Sequence, residues 1–267
     1  MKNQRHQSIL EILEAEGRVG VVDLSRQLEV SEMTTRRDLL ELESTGALRR
    51  IHGGAVRTLG RAFEPSYRTR AQHAVESKKA IAAAAAQFVN DGDAIALDVG
   101  STILPMVDEL AGRSNLTIVT SNLRVAWAVA NNHALERSVR LIISGGVVRI
   151  DELNMTGSSA LANYRMMRVD KAFIGVGGLN AVAGVTDYNL EDAELKRVLV
   201  DSARKVIALA DSSKLGHESF AQVADIDKID LLITDDEADA EVVTELRAAG
   251  LEVLLVGAQG NSSVLPH

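Results

Sequence analysis

Two sets of residues in this sequence combine side chains and spacings that suit the binding of phosphate groups. The first set lies in residues 31–55, SEMTTRRDLLELESTGALRRIHGGA, which joins hydroxyl and guanidinium side chains to a pair of glycines. Guanidinium and hydroxyl groups on an exposed helix reach phosphates and base edges in a DNA groove, and glycine lets a backbone approach a phosphate closely. The segment therefore predicts a nucleic-acid-binding surface. Its candidate contact residues are Ser31, Met33, Thr34, Arg36, Arg37, Arg49, Arg50, His52, Gly53 and Gly54.

The second set consists of five short motifs, each of which follows a predicted β-strand. They are DVGST (98–102), TSN (120–122), SGG (144–146), GVGGL (175–179) and DSSK (211–214). The first motif opens a predicted helix, so free N–H groups and the helix dipole would favour an anion there, while Lys214 supplies a cation. A glycine after one strand is usually only a turn, but five such motifs at one edge of a sheet predict a phosphate-binding pocket.

The first set is positioned by a small head at the start of the chain. The predicted elements are helices over 3–16, 23–28 and 31–45, an extended piece over 19–22, and strands over 48–51 and 55–58. Ser31 is a suitable N-cap for the third helix and Gly46 is a suitable stop. A helix, a helix-turn-helix and a hairpin in this order are typical of a winged helix.

The third helix has two different faces when its residues are placed 100° apart. Thr35, Leu39 and Leu42 turn toward the core of the head, and Met33, Thr34 and Arg37 turn away from it, with Arg36 on the flank. A solvent-exposed helix with Glu/Arg pairs is the alternative interpretation. That alternative leaves the cap, the stop and the basic hairpin unexplained.

After residue 78 the pattern changes to alternating strands and helices. Strands are predicted over 94–98, 116–120, 140–144, 171–176, 206–210, 229–234 and 252–256. Helices are predicted over 79–89, 102–110, 123–131, 158–166, 190–203 and 240–249. Several strands are continuous apolar runs, so we predict the α/β class with a mainly parallel sheet. The predicted domains are a winged helix-turn-helix over 1–58, a linker over 59–77, and an α/β domain for effector sensing and oligomerisation over 78–267.

Residues 31–55 resemble the DeoR family of bacterial transcription regulators. The family pattern is a helix-turn-helix ending in T-x-R-R-D-L, followed by L-E-x-x-G-x-L-x-R-x-H-G-G-A, and Arg5, Ile9 and Leu13 extend the match upstream. One departure is Thr35, where the family usually has Ile or Val. The resemblance continues through nearly the whole chain and implies operator DNA as a partner. One small winged helix contacts little DNA, so we also expect a homodimer or homotetramer.

The five motifs resemble the DeoR sensor domain, which is similar in fold to ribose-5-phosphate isomerase. This resemblance implies a phosphorylated sugar or related metabolite as effector, and a repressor of a carbohydrate-use operon that the effector releases from DNA. Gly100, Ser101, Thr102 and Lys214 match the phosphate-holding positions of the isomerase in pattern. The other candidate effector-binding residues are Asp98, Thr120, Asn122, Gly145, Gly146, Gly177 and Lys196. For Lys196, a solvent-exposed helix face with local ion pairs is an equally open interpretation.

An isomerase-like enzyme with an attached DNA-binding head is the alternative function. The isomerase has acidic residues after the equivalent of the fourth strand and a glutamate base on the next helix. This chain has GVGG at 175–178 in place of those acids. We therefore expect ligand binding without turnover. A third possibility is a vestigial pocket in a domain that only forms oligomers.

Composition excludes several other kinds of site. The chain of 267 residues has no cysteine, and its six histidines are scattered without metal-ligand spacing, so we expect no disulfide, metal or cofactor. It begins without an apolar signal region and has no run long enough to cross a bilayer, so we expect a cytoplasmic protein without membrane contact. Net charge is −8, yet residues 1–70 hold 12 basic and 10 acidic residues against 17 and 27 in the remainder. A mildly basic head on an acidic body fits DNA contact confined to the head.

Overall fold

The computed structural model describes residues 2–57, 60–135, 139–257 and 262–263. The chain divides into two compact units, Met1–His73 and Ala74–His267. Among the described residues, no helix is both long enough and apolar enough to cross a membrane.

The first unit is a winged helix. Its elements are α1 (Lys2–Glu16), β1 (Arg18–Gly20), α2 (Val21–Gln27), α3 (Glu32–Ser44), β2 (Leu48–Ile51), β3 (Gly54–Arg57) and α4 (Tyr67–Gln72). The strands form an antiparallel sheet in the order β1-β3-β2. Ile9, Leu13, Leu24, Leu39 and Leu48 are at most 1% exposed and form the core between helices and sheet.

Two expectations for the head were wrong in detail. Val21 and Val22 begin α2 instead of forming an extended piece, because the helix brings Val21 and Leu24 together in the core. Residues 67–72 form α4 inside the segment expected to be a linker, where the Ser66 hydroxyl accepts a hydrogen bond from the backbone of Thr69 and caps the helix. Helix α5 already begins at residue 75, and residues 58 and 59 lie outside the described part of the chain.

The second unit alternates strands and helices around one large sheet. Its helices are α5 (Val75–Ala86), α6 (Met106–Glu109), α7 (Leu123–Asn131), α8 (Ser158–Arg165), α9 (Leu190–Ser202) and α10 (Ala240–Ala248). The strands of the large sheet are β4 (Ala94–Leu97), β5 (Leu116–Thr120), β6 (Val139–Ile143), β9 (Val169–Gly175), β12 (Ala203–Leu209), β14 (Leu231–Asp235), β15 (Glu252–Val256) and β16 (Ser262–Ser263). The smaller strands are β7 (Val147–Arg149), β8 (Asn154–Thr156), β10 (Gly178–Asn180), β11 (Gly184–Asp187) and β13 (Ala221–Ala224).

The large sheet has the order β16-β15-β14-β12-β9-β4-β5-β6. All neighbours are parallel except β15 and β16, which confirms the predicted α/β class and all seven predicted strands. Side chains alternate between two cores: Val206 and Ala208 of β12 pack with α8, α9 and α10, while Ile207 and Leu209 pack with α5, α6 and α7. Helices on both faces explain why the strands read as continuous apolar runs.

The helix expected over 102–110 is shorter than predicted. Only Met106–Glu109 is α-helical, and the preceding residues form successive turns. Pro105 has no N–H group to donate and disfavours the helical conformation at Leu104, so the helix cannot extend back to residue 102. Two small sheets, β7-β8 and β10-β11-β13, were also not predicted.

Candidate functional site

The predicted faces of α3 are confirmed. Thr35, Leu39 and Leu42 are 0%, 1% and 5% exposed, whereas Met33 is 81% exposed. The hydroxyl of Thr35 donates to the Ser31 carbonyl at 3.3 Å, which satisfies this polar group in a position where the family usually has an apolar one.

The hydroxyl residues at the start of α3 form its cap. The Ser31 Oγ atom accepts a hydrogen bond from the Thr34 backbone N–H at 3.2 Å, and the two hydroxyl oxygens lie 2.9 Å apart. This geometry confirms Ser31 as the N-cap. Both residues remain predicted DNA contacts, with hydroxyls that the cap already orients.

The two arginines of α3 lie on its surface. Arg36 pairs with Glu32 and Arg37 with Glu41, each at 3.4 Å between nitrogen and oxygen. The arginine side chains are 60% and 79% exposed. The Arg36–Glu32 pair is exposed on both sides and contributes little energy, so a DNA phosphate can compete for Arg36. Glu41 is only 12% exposed, so Arg37 pairs with a more buried acid.

The hairpin of the wing directs its two arginines to different sides. Arg49 and Arg50 are successive residues of β2, and successive strand side chains point to opposite faces. Arg50 lines a cleft of about 440 Å³ between α3 and the wing, and Arg49 does not. The cleft is lined by Val21, Arg36, Leu39, Glu43, Arg50, Ile51, His52, Gly53, Gly54 and Thr69. Arg49 and Arg50 both stay predicted DNA contacts, and only Arg50 of the two lines this cleft.

The two glycines of the β2–β3 turn are required for different reasons: Gly53 for its backbone angle and Gly54 for close packing. Gly53 has a φ of +78°, which favours glycine at the tip of the turn, and its carbonyl accepts the Val21 N–H. At Gly54 a Cβ atom would lie 2.0 Å from the Val19 carbonyl oxygen. Gly54 is therefore needed for the close pairing of β3 with β1, and it is buried at the floor of the cleft.

An ion cluster that the sequence analysis did not identify holds α3 against α1. Arg5 donates two hydrogen bonds to Asp38, at 2.5 and 2.9 Å, and His6 lies 3.2 Å from the same carboxylate. Burial opposes ionisation of Asp38, but the hydrogen bonds from Arg5 and His6 outweigh it and lower the pKa of the carboxyl group. Asp38 lies on the predicted buried side of α3 with Thr35 and Leu42. An acid in such a position indicates a charged partner from another part of the fold, and this was the signal available in the sequence.

Among the described residues, His6, Asp38 and Glu41 have ligand atoms within 4.8 Å of one another, as a metal site would require. Both Asp38 oxygens already accept hydrogen bonds from Arg5. A guanidinium group there would repel a cation, so the cluster fits an ion-pair network better than a metal centre.

In the second unit, the five motifs meet as predicted. They follow β12, β9, β4, β5 and β6, which are consecutive neighbours in the sheet, and each motif lies at the carboxyl end of its strand. The short α6 removes the helix dipole that was expected to act at Gly100, Ser101 and Thr102. The φ of Gly100 is +153°, so these residues form a turn that favours glycine.

Lys196 is held by three acceptors within the fold. Its ammonium group lies 2.6 Å from Asp98, 3.0 Å from Asp187 and 2.8 Å from the Gly175 carbonyl oxygen, and it is 3% exposed. Burial would lower the pKa of Lys196, but the two carboxylates raise it, so the lysine stays charged. Three acceptors use all three donors of an ammonium group. Lys196 and Asp98 thus hold β4 and β9 to α9, and their contact with a ligand stays a prediction.

Thr120 and Asn122 are also engaged within the fold. Asn122 caps α7 by accepting the N–H groups of Arg124 and Val125, and its own N–H is held by the Thr120 hydroxyl. Both residues are at most 2% exposed. They shape the edge of the sheet, and their contact with a ligand stays a prediction.

Three further glycines at this edge allow close packing or unusual backbone angles. Gly145 and Gly146 have φ of +70° and +121°, and a Cβ atom at Gly146 would lie 2.4 Å from the Thr156 carbonyl oxygen. At Gly177 a Cβ atom would lie 3.0 Å from the Ser219 hydroxyl oxygen. Backbone angles and packing alone explain why glycine occupies these positions. The role of the three glycines in ligand binding therefore stays a prediction.

Two buried lysines lie at the fifth motif, and the sequence analysis identified only one of them. Lys214 is 7% exposed and donates to the Tyr188 hydroxyl at 3.3 Å. Lys78 of α5 is 4% exposed, and its ammonium nitrogen lies 3.6 Å from a carboxylate oxygen of Asp211. The missed signal was that Lys78 shares the apolar face of α5 with Ile81, at the i, i+3 spacing.

Both units of the chain match models of known protein families. The DeoR-like helix-turn-helix domain matches residues 5–58, and the DeoR C terminal sensor domain matches residues 73–236. The HTH-type transcriptional regulator GolR of Listeria innocua is 34% identical over 94% of this chain and 97% of its own. The glycerol-3-phosphate regulon repressor of Escherichia coli is 29% identical over 88% and 91%.

Among solved structures, ribose 5-phosphate isomerase of Methanocaldococcus jannaschii resembles 52% of this chain and 54% of its own length. The TM-score is 0.38 and the identity 17%, so this is a distant similarity of fold. The relatives aligned over almost their whole length are regulators, and with them this chain is a DNA-binding regulator and not an enzyme. The chain belongs to the DeoR family of transcription regulators.

Proposed function

We propose that this protein represses a carbohydrate-use operon and leaves its operator when a phosphorylated sugar binds to the second unit. The observation that carries the proposal is the meeting of five hydroxyl-, glycine- and lysine-bearing motifs at the carboxyl ends of five adjacent parallel strands. That edge is where ligands bind in open α/β sheets. The name of the glycerol-3-phosphate regulon repressor associates one relative with a phosphorylated metabolite.

Within this edge, the groups best suited to a phosphate are the hydroxyls of Ser101 and Thr102 and the two lysines Lys78 and Lys214. A phosphate monoester carries close to two negative charges and needs cations or several hydrogen-bond donors in a partly buried site. Lys78 and Lys214 are buried beside the same short motif, which starts at Asp211. The cluster around Lys196 then acts as a rigid wall of the site.

Release from DNA requires coupling between the ligand and the DNA-binding heads. We infer that several heads of a homodimer or homotetramer engage repeated half-sites, and that the ligand favours an arrangement that no longer fits them. A coupling free energy of about 1–3 kcal/mol is typical of such switches. The same coupling predicts that operator DNA weakens ligand binding by an equal factor.

A thermal-shift screen of the full chain tests the proposed effector class. The ligands are glycerol 3-phosphate, glucose 6-phosphate and fructose 1-phosphate, each beside its unphosphorylated counterpart. A ligand that binds only the folded chain raises its stability, by about 2.7 kcal/mol at a hundredfold excess over Kd. We expect a shift with at least one phosphorylated compound and none with its counterpart. Shifts with the unphosphorylated partners alone would contradict the phosphate assignment, and no shift across a wide panel would favour the vestigial pocket.

A double variant, Thr102→Ala with Lys214→Ala, locates the site. It should abolish the response to the active sugar phosphate and leave operator binding intact. Lys79→Ala is the matched control, since Lys79 is 59% exposed and pairs only with Glu76 among the contacts of the described residues. A double variant that responds like the wild type would overturn the pocket assignment.

A further inference from the structure

We propose that Glu43 is a positioning residue for DNA binding, which aligns the guanidinium group of Arg50 toward a DNA phosphate. One carboxylate oxygen of Glu43 accepts the backbone N–H of Arg50 at 2.9 Å, and the other accepts its Nε–H at 2.6 Å. The Glu43 side chain is 10% exposed and the Arg50 side chain is 38% exposed. The buried acid therefore fixes both the backbone and the head group of an arginine at the surface.

This geometry leaves the outer side of the guanidinium group available. Arginine has five N–H donors in a planar fork, and Glu43 takes only the one on Nε. Within the described residues, the four N–H groups on the two terminal nitrogens of Arg50 have no hydrogen-bond partner. A pair of parallel N–H groups on a fixed plane is the arrangement that binds a phosphate through two hydrogen bonds.

The position of the pair fits a phosphate that lies between α3 and the wing. Glu43 is on α3 and Arg50 on β2, and both line the cleft of about 440 Å³ together with Arg36 and His52. Glu43 is the more buried of the two side chains, so the guanidinium group is more accessible to solvent than the carboxylate. Arg50 thus neutralises an acid that would otherwise repel the DNA backbone.

A positioning role and a simple charge effect predict opposite changes in DNA affinity when the charge of Glu43 is removed. If Glu43 were only an acid near DNA, removing its charge would strengthen binding. If Glu43 aligns Arg50, the Glu43→Gln variant weakens binding, because glutamine keeps an oxygen for the backbone N–H but loses the charged oxygen that holds Nε. The Glu32→Gln variant is the matched control: Glu32 is an acid on the same helix, 51% exposed, and makes no contact with Arg50 among the described residues.

The experiment measures affinity of the full-length protein for a DNA duplex that the wild type selects from a random-sequence library. Glu43→Gln, Arg50→Gln and the double variant are titrated over a salt series, with thermal unfolding to confirm folding. We expect about a tenfold loss for each single variant, no further loss in the double variant, and no loss for Glu32→Gln. Glu43→Gln, Arg50→Gln and the double variant should each also reduce the steepness of the plot of log K against log salt by about 0.9, which is the contribution of one phosphate contact.

Three results would overturn the proposal: wild-type or tighter binding by Glu43→Gln, independent losses that multiply in the double variant, or an unchanged salt slope. Should Glu43→Gln fail to fold, Arg50→Lys provides the second test, because it keeps the charge but loses the aligned fork. Wild-type affinity in Arg50→Lys would refute the need for alignment, and a loss like that of Arg50→Gln would support it.

Discussion

Replacing Arg5 by methionine should destabilise the first unit by about 2–3 kcal/mol and leave the second unit unchanged. Asp38 is 3% exposed and receives two hydrogen bonds from Arg5, so the variant leaves a buried carboxylate without its cation. Removal of one partner from a fully buried ion pair costs about 3–5 kcal/mol. We take a lower value because Arg5 is 23% exposed, so water can reach the carboxylate once the guanidinium group is gone.

The assay has to report the two units separately. The single tryptophan, Trp127, is 72% exposed in the folded chain, so its fluorescence would change little on unfolding. Hydrogen exchange followed by mass spectrometry of peptides separates the two units. Along a urea titration, Arg5→Met should lower the unfolding midpoint of peptides from the first unit and leave the midpoint of peptides from the second unit unchanged. The added change Asp38→Asn should restore part of the loss, because no buried charge then remains.

The pH dependence of this variant gives an independent check. The folded chain holds the pKa of Asp38 below its unfolded value, so the ion pair stabilises the fold fully at neutral pH and this stability is lost as pH falls through the folded pKa. The cost of Arg5→Met should therefore shrink in acid. Arg26→Met is the control, since Arg26 and Asp23 are 76% and 71% exposed and their pair contributes little. An Arg5→Met chain within about 0.5 kcal/mol of the wild type at neutral pH would refute the reasoning.

Three further predictions concern single buried groups. Gly54→Ala should destabilise the first unit more than Gly53→Ala, because the new Cβ atom meets a β1 carbonyl oxygen at 2.0 Å whereas Gly53 has open space; equal midpoints in urea would contradict this. Lys196→Met leaves two buried carboxylates without their cation and should lower the stability of the second unit by about 3–5 kcal/mol, read from hydrogen exchange of its peptides in urea; a neutral effect would refute the ion cluster. Burial raises the pKa of Asp192 from its usual 3.8 to about 6, so the stability that its bound proton contributes at low pH is lost as pH rises through the folded pKa. The stability of Asp192→Asn should thus rise relative to that of the wild type between about pH 4 and pH 6, and a constant difference in urea titrations would contradict the raised pKa.

The sequence alone determined the features that depend on neighbours along the chain. The two faces of α3, its cap at Ser31, the seven parallel strands and the place of each motif at a strand end all follow from local periodicity and turn residues. These signals lie within a few residues of one another, so they can be read without knowledge of the fold. Pro105 is also a local signal: it lies inside the helix predicted over 102–110, and its missing N–H group limits that helix to the residues that follow it.

Only the tertiary structure decided which side chains are already engaged. Lys196 and Asp98 are 98 residues apart, and Arg5 and Asp38 are 33 apart, so no local pattern could pair them. Lys196 had the residue type expected of a phosphate ligand, yet the fold surrounds it with three acceptors. A buried charge must find partners wherever the fold supplies them, and those partners come from strands and helices that meet only after folding. The sequence thus placed the five motifs at one edge of the sheet and gave α3 its two faces, and the packing decided which of their side chains already have partners in the fold.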